Sequence, residues 1–298
     1  MVVHRKSTFL VIILMSFCFL YGQSQNKKAK EKLYGYAAEH YEITSVLFKD
    51  MLNNQSKFQK NWIVQMSQSD PEINRYARIE NDKLQVHDPR GSTIWYKNKL
   101  KGPIMISYRV TVPTAYNQGN DIVARDVNQF WMANTPNSID AFTKGGLFDT
   151  TKYDGGFKSY DDIYSYYAST GGGNVKVNNS TIRMRRYPRA VDGKLVDHLG
   201  LNYRDGIPEF LLVPNIEHQI QLVAANDIVQ YIFDGKIVYE IKSGDAINIL
   251  NDATKNVRNV IWGEVPWLPY NEGYFGFRMT RSHHIYSNFK VYELKKRD

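Results

Sequence analysis

From residue 62 onward, apolar and polar residues alternate in short stretches, the period of a half-buried strand. In "KLQVHD", Leu84 and Val86 alternate with Gln85 and His87, and the following "DPRG", 88–91, reads as a turn. "PIMISYRVTV" sets Ile104, Ile106, Tyr108, Val110 and Val112 against Met105, Ser107, Arg109 and Thr111. "GYFGFRMT" sends Phe275, Phe277 and Met279 one way and Tyr274, Arg278 and Thr280 the other. "TIWYK", "VNQFWMA" and "NFKVYEL" read as further strands. In "IVQYIFDGKIVYEI", Asp234-Gly235 supplies the positive φ angles that a two-residue hairpin turn requires. One short helix is expected, around 38–52.

Many short strands, few helices and no fixed repeat predict an all-β fold: an antiparallel β-sandwich of the jelly-roll, concanavalin-like kind. No Pro/Gly/Ser linker divides the chain. The expected organisation is a secretory signal over 1–24, a polar lead with a short helix over 25–60, and a β-jelly-roll domain over 61–298. The stretch 134–173, rich in Tyr, Asp and Gly, does not read as regular strand, and a long loop on a β scaffold commonly covers or builds a site.

One stretch alternates in a different manner. "STIRMRRYPR", 180–189, places Ile182 and Met184 on one face and Thr181, Arg183, Arg185 and Tyr187 on the other. A guanidinium fork donates two parallel hydrogen bonds, which suits a carboxylate or a sulfate. The alternative is a solvated face neutralised by nearby acids. Two further segments present polar groups from apolar strands. "SYYASTGGGN", 165–174, brings Tyr166 or Tyr167 beside a glycine run, without the spacing of a phosphate loop. "RMTRSHH", 278–284, brings Arg278, His283 and His284, of which adjacent histidines face opposite ways. His87 is a further candidate, facing away from Leu84 and Val86.

Composition narrows the setting. His4, Arg5 and Lys6 precede the apolar run "FLVIILMSFCFL" and the small polar "YGQSQ", the order of a secretory signal, too short for a membrane span. The product is expected to be exported, to the periplasm or beyond, with no membrane attachment after signal removal. The only cysteine, Cys18, lies inside that segment, which excludes a disulfide scaffold, a thiol nucleophile and cysteine-ligated zinc. Without Arg5 and Lys6, 36 basic residues remain against 30 acidic ones, so an acidic partner is favoured. Nucleic acid is not expected, for want of a helix-turn-helix or zinc-finger pattern. An anionic polysaccharide fits better. No cofactor is implied; the Asp-rich "FDTTKYDGG" and "SYDDIYS" leave room for a structural calcium but carry no ligand spacing.

There is no Gly-x-Ser-x-Gly elbow, no His-Glu-x-x-His and no dinucleotide fingerprint. Acidic residues such as Asp126 and Glu209 are scattered, with no spacing that marks a two-carboxylate glycosidase. Arg, Tyr, His and Asn are what β-elimination from a uronic acid needs. A cation holds the carboxylate while charge develops beside it, and a Tyr or His moves the proton. In that scheme the arginines depress the tyrosine pKa.

"VNQFWMA", "YYASTGGGN…STIRMRRY" and "EGYFGFRMTRSHHIYSNFKVYEL" resemble a family of exported jelly-roll proteins from polysaccharide-degrading Bacteroidetes, labelled as a domain of unknown function. The resemblance runs from about Trp62 to Leu294. Within that family it points toward the oligosaccharide dehydratase of ulvan breakdown, ulvan being a sulfated rhamnose–uronate polymer. What this implies is removal of water from a terminal uronic acid, leaving a 4,5-unsaturated sugar. The implied partners are anionic oligosaccharides carrying uronate and sulfate, and Asn128, Tyr167, Asn174, Arg185 and His283 match positions of the family pattern. With them stand Arg183, Tyr187, Arg278 and His87 from the residue reading. A polysaccharide endolyase using the same elimination, and a non-catalytic glycan-binding module, are the competing expectations.

Overall fold

The computed structural model describes residues 31–66, 74–114, 125–172 and 180–298. The signal segment expected over 1–24, and Asn174, lie outside the described residues. Two antiparallel sheets account for most of Leu33–Asp298, as the alternation led one to expect. The eight-stranded sheet runs β16 (Lys236–Lys242), β15 (Ile228–Phe233), β14 (Glu217–Ala224), β7 (Ile104–Thr111), β20 (Ser282–Lys296), β4 (Lys83–Asp88), β3 (Tyr76–Glu80), with β1 (Tyr41–Asp50) also paired to β20. The ten-stranded sheet runs β18 (Val257–Ile261), β17 (Ala246–Asn251), β13 (Asp197–Leu201), β10 (Ile182–Arg186), β9 (Tyr164–Thr170), β8 (Val127–Asn134), β19 (Glu272–Met279), β5 (Ser92–Tyr96), β2 (Trp62–Met66), with β6 (Leu100–Lys101) paired to β19. A small ribbon joins β11 (Ala190–Val191) to β12 (Lys194–Leu195).

The apolar sides of the two sheets meet in one core. Leu84, Val86, Ile104, Ile106, Tyr108 and Val110 come from the first sheet, and Phe275, Phe277, Met279, Ile182 and Met184 from the second. Trp62 anchors the middle. Its ring stacks on Phe277 at 5.2 Å and meets Phe289 edge-on at 5.0 Å, while its indole N–H donates to Asp50 Oδ2. Satisfying that N–H lets a polar-tipped ring sit in the core without a desolvation penalty.

Two expectations need correction. The helix expected around 38–52 is a strand for most of that length: α1 (Gly35–His40) ends where β1 begins, and α2 (Gln55–Asn61) follows. Register shifts between Ile43 and Ser45 and between Val46 and Phe48 insert extra residues into β1, which breaks the period of two and mimics a helical spacing. The stretch 134–173 also contains a central strand, β9, whose aromatic and hydroxyl side chains hide its alternation. The remainder, 134–163, is a long loop as expected. It lies on the outer face of the ten-stranded sheet, where Ala141, Leu147, Phe148, Tyr153, Tyr160 and Ile163 build a second core on Trp95, Phe130, Tyr167 and Tyr187. Gln65 pins it: its Oε1 accepts from both Trp95 Nε1 and Tyr160 Oη at 2.7 Å, and its Nε2 donates to Leu147 O.

Among the described residues no helix is long and apolar enough to cross a membrane, and no group of three or more His, Cys, Asp or Glu is placed to hold a metal ion. Three aspartates of the two Asp-rich segments serve the loop itself, and Asp161 pairs with Arg189 beyond it. Asp149 accepts from Gly145 N and Thr151 N, Asp154 from Gly156 N, and Asp162 pairs with Lys152.

Candidate functional site

Because side chains in a strand alternate, the residues between the core positions of the ten-stranded sheet point to its other face. Cross-strand pairing aligns them in rows. One row runs Arg278–Asn128–Ser169–Arg183, and the next runs Gly276–Phe130–Tyr167–Arg185–Gly200. Tyr187 follows β10 on the same side, with its ring 5.8 Å from Tyr167 and 5.7 Å from Phe130. Six residues singled out in the sequence, Asn128, Tyr167, Arg183, Arg185, Tyr187 and Arg278, therefore share one face across four neighbouring strands.

The loop covers part of that face and leaves a pocket of about 160 Å³ beside it. Arg125, Asp126, Asn128, Phe157, Tyr167 and Arg278 line it, with Phe130, Tyr187 and Thr280 completing the wall. Tyr167 Oη donates to Asn128 Oδ1 at 2.9 Å. The Arg278 guanidinium is only 3 % exposed, and its Nη1 donates to the carbonyls of Ser92 (2.9 Å), Gly155 (2.9 Å) and Met279 (2.7 Å). Its Nη2 is buried and has no protein partner among the described residues. A buried, permanently charged fork with one side unsatisfied is costly unless a nearby charge offsets it, and the buried Asp88 carboxylate is one charge that acts on Arg278. The Arg183 Nε is likewise buried without a partner, and the Arg185 guanidinium stands 5.9 Å from the centre of the Tyr167 ring.

The tyrosine titrates against expectation. Burial pushes the Tyr167 hydroxyl well above the ordinary tyrosine range, the Asp126 charge and Tyr187 add to the rise, and Arg185 pulls downward without prevailing. The arginines do not make this phenol a ready anion; desolvation outweighs them.

The histidines fall elsewhere. His87 and His283 are cross-strand partners on β4 and β20 of the eight-stranded sheet, opposite in facing to the core residues Leu84, Val86 and Tyr286. A sandwich core about 10 Å thick separates that face from Tyr167. Their rings lie 5.8 Å apart, Tyr76 stacks on His87, and His283 Nε2 meets Gln85 Oε1 at 2.9 Å. Burial, helped by the neighbouring His87, lowers His283 to about 4, which keeps it neutral. His284 points into the core, where its Nδ1 meets Tyr286 Oη at 2.7 Å. The expected joining of a histidine to the tyrosine and arginine cluster does not occur. Arg186, the third arginine of the stretch 180–189, faces the core side, over Tyr270 at 4.0 Å, and donates to the carbonyls of Pro266 and Leu268.

Arg125 and Phe157 line the pocket but carried no signal in the sequence, since they come from loops whose position is set by tertiary packing. Asp126 was visible only as one scattered acid. His198, on the same face at β13, had a readable signal in "DHLGL", where Leu199 enters the core and His198 and Gly200 face outward. Beside it Arg189 bridges Asp161 and Asp252, so those two acids are already engaged.

The fold has known counterparts. A protein of unknown function with a galectin-like fold from Bacillus subtilis is similar in structure at a TM-score of 0.58 and 15 % identity, covering 86 % of this chain and 100 % of its own. The catalytic domain of PdAgaC is similar at a TM-score of 0.50 and 8 % identity, over 93 % of this chain and 99 % of that one. Porphyranase B from Zobellia galactanivorans is similar at a TM-score of 0.47 and 9 % identity, over 90 % and 97 % respectively. No curated protein matches the chain in sequence. Residues 86–249, more than half of the chain, match the family model described as "Domain of unknown function (DUF6250)", and the chain belongs to that family.

Proposed function

We propose that this protein is a carbohydrate-active carbon–oxygen lyase that eliminates water from the terminal uronic acid of ulvan-type oligosaccharides. One observation carries the reading: a buried guanidinium with an unsatisfied nitrogen, a protonated tyrosine and an asparagine converge on one small pocket of the ten-stranded sheet. The pocket is of single-ring size and closed on one side by the loop, which suits a chain end. A catalytic domain with the same kind of fold is known, although fold alone does not assign chemistry.

In this mechanism Arg278, which lines the pocket, holds the uronate carboxylate, and Arg185, beside the Tyr167 ring, adds positive charge. Their charge stabilises the enolate that forms when C5 loses its proton. Asp126, the carboxylate of the pocket, accepts that proton. The electron pair becomes the C4=C5 double bond, the C4–O bond breaks, and the departing hydroxyl takes the Tyr167 proton and leaves as water. The phenol carries its proton at neutral pH, as an acid must, although its raised pKa makes it a weaker donor than an ordinary tyrosine. Hydrolysis is less well supported: a glycosidase needs two carboxylates, and Asp126 is the only one among the described residues lining this pocket.

Incubation with uronate-ended oligosaccharides tests the reading. The expected result is new absorbance near the ultraviolet edge and a product lighter by one water, with chain length unchanged. Absorbance accompanied by shortening chains would assign an endolyase, and binding without either change a glycan-binding module.

A further inference from the structure

We propose that Phe157 is the platform of a second sugar subsite, stacking on the ring next to the terminal uronate. This rests on the reading of the pocket given above and adds the class of substrate: an oligosaccharide, in preference to a free uronic acid. Phe157 is 58 % exposed although it lines the pocket, while the other loop aromatics nearby, Tyr153 and Tyr160, are fully buried. Single exposed apolar side chains are common, but this ring lines the pocket and offers a flat face to whatever occupies it.

The ring is exposed but its backbone is held. Gly155 O accepts from Arg278 Nη1, and Gly155 N donates to Tyr160 Oη at 3.1 Å. Gly156 N donates to Asp154 Oδ1, and Gly156 O accepts from Ser159 Oγ. Gly155 has φ +86°, and a Cβ there would lie 2.5 Å from Gly91 O, so this turn is pressed against the β4–β5 turn and fits only glycine. The same arginine thus anchors the Phe157 turn through Nη1 and lines the pocket proposed to take the uronate. A pyranose presents a face of C–H groups to an aromatic ring, and a turn already held in place reduces the ordering needed when the sugar arrives.

The test compares wild type, Phe157→Ala and Phe157→Tyr on two substrates, free glucuronate and a uronate–rhamnose disaccharide, with calorimetric binding of the disaccharide measured in parallel. Phe157→Ala should raise KM and Kd for the disaccharide about tenfold, much more than its effect on free glucuronate, with kcat little altered. Phe157→Tyr should restore both. An active Phe157→Ala enzyme with wild-type KM for the disaccharide overturns the subsite, as does an equal rise for both substrates. If wild type turns over neither sugar yet binds the disaccharide through Phe157, the subsite stands and the lyase reading fails. If wild type neither binds nor converts it, both fail.

Discussion

Tyr167 shows how much environment decides. Next to the Arg185 guanidinium a phenol would ordinarily be expected to ionise early, but it lies under the loop, and the loss of water outweighs the cation. A raised pKa extends the neutral form to higher pH, so an acid that depends on it stays active further into alkali. The alkaline limb of kcat/KM, which reports the free enzyme, is therefore expected above pH 10. Arg185→Ala, which removes the group pulling downward, should move that limb higher still while lowering turnover. A limb well below pH 10 would mean the arginines had won after all. Arg278, Asn128 and Arg183 were readable one by one in the sequence, since alternation tells which face a side chain takes. That Arg278 would keep a nitrogen unsatisfied was not readable, because its other contacts come from Ser92 at the start of β5 and Gly155 in the long loop, both distant in sequence.

At the scale of elements, local chemistry was most legible where backbone conformation demanded it. The Asp234-Gly235 turn forms as expected, with φ of 48° and 76°, joining Phe233 to Lys236. Gly235→Ala forces a Cβ into left-handed backbone and to 2.8 Å of Tyr34 Oη. Urea denaturation should find the variant less stable by about 1–2 kcal/mol; no change would mean that the turn relaxes freely. Less legible was which sheet a strand joins. "RMTRSHH" reads as one segment, but Arg281, at φ 50°, turns the chain between β19 and β20. Arg278 and His283, five positions apart, consequently face outward from opposite sheets. Periodicity encodes facing, not partnership, and that is why the histidines were grouped with the arginines. The irregular strand β1 was lost for a related reason, its two bulges erasing the period.

Across the whole molecule, the sandwich puts two polar clusters on its two outer faces: arginines with tyrosines on the ten-stranded sheet, and a pair of neutral histidines on the eight-stranded one. Both were candidates in the sequence, and among the described residues the first lines a pocket with an unsatisfied cation. Comparing conservative variants of the two clusters in the dehydration assay, each first shown by its melting temperature to be folded, is the most direct test of that choice. Tyr167→Phe should lower kcat by about 10²–10⁴-fold, and His283→Gln should leave turnover within about twofold of wild type. Loss of turnover in a folded His283→Gln protein, with Tyr167→Phe still active, would contradict the account.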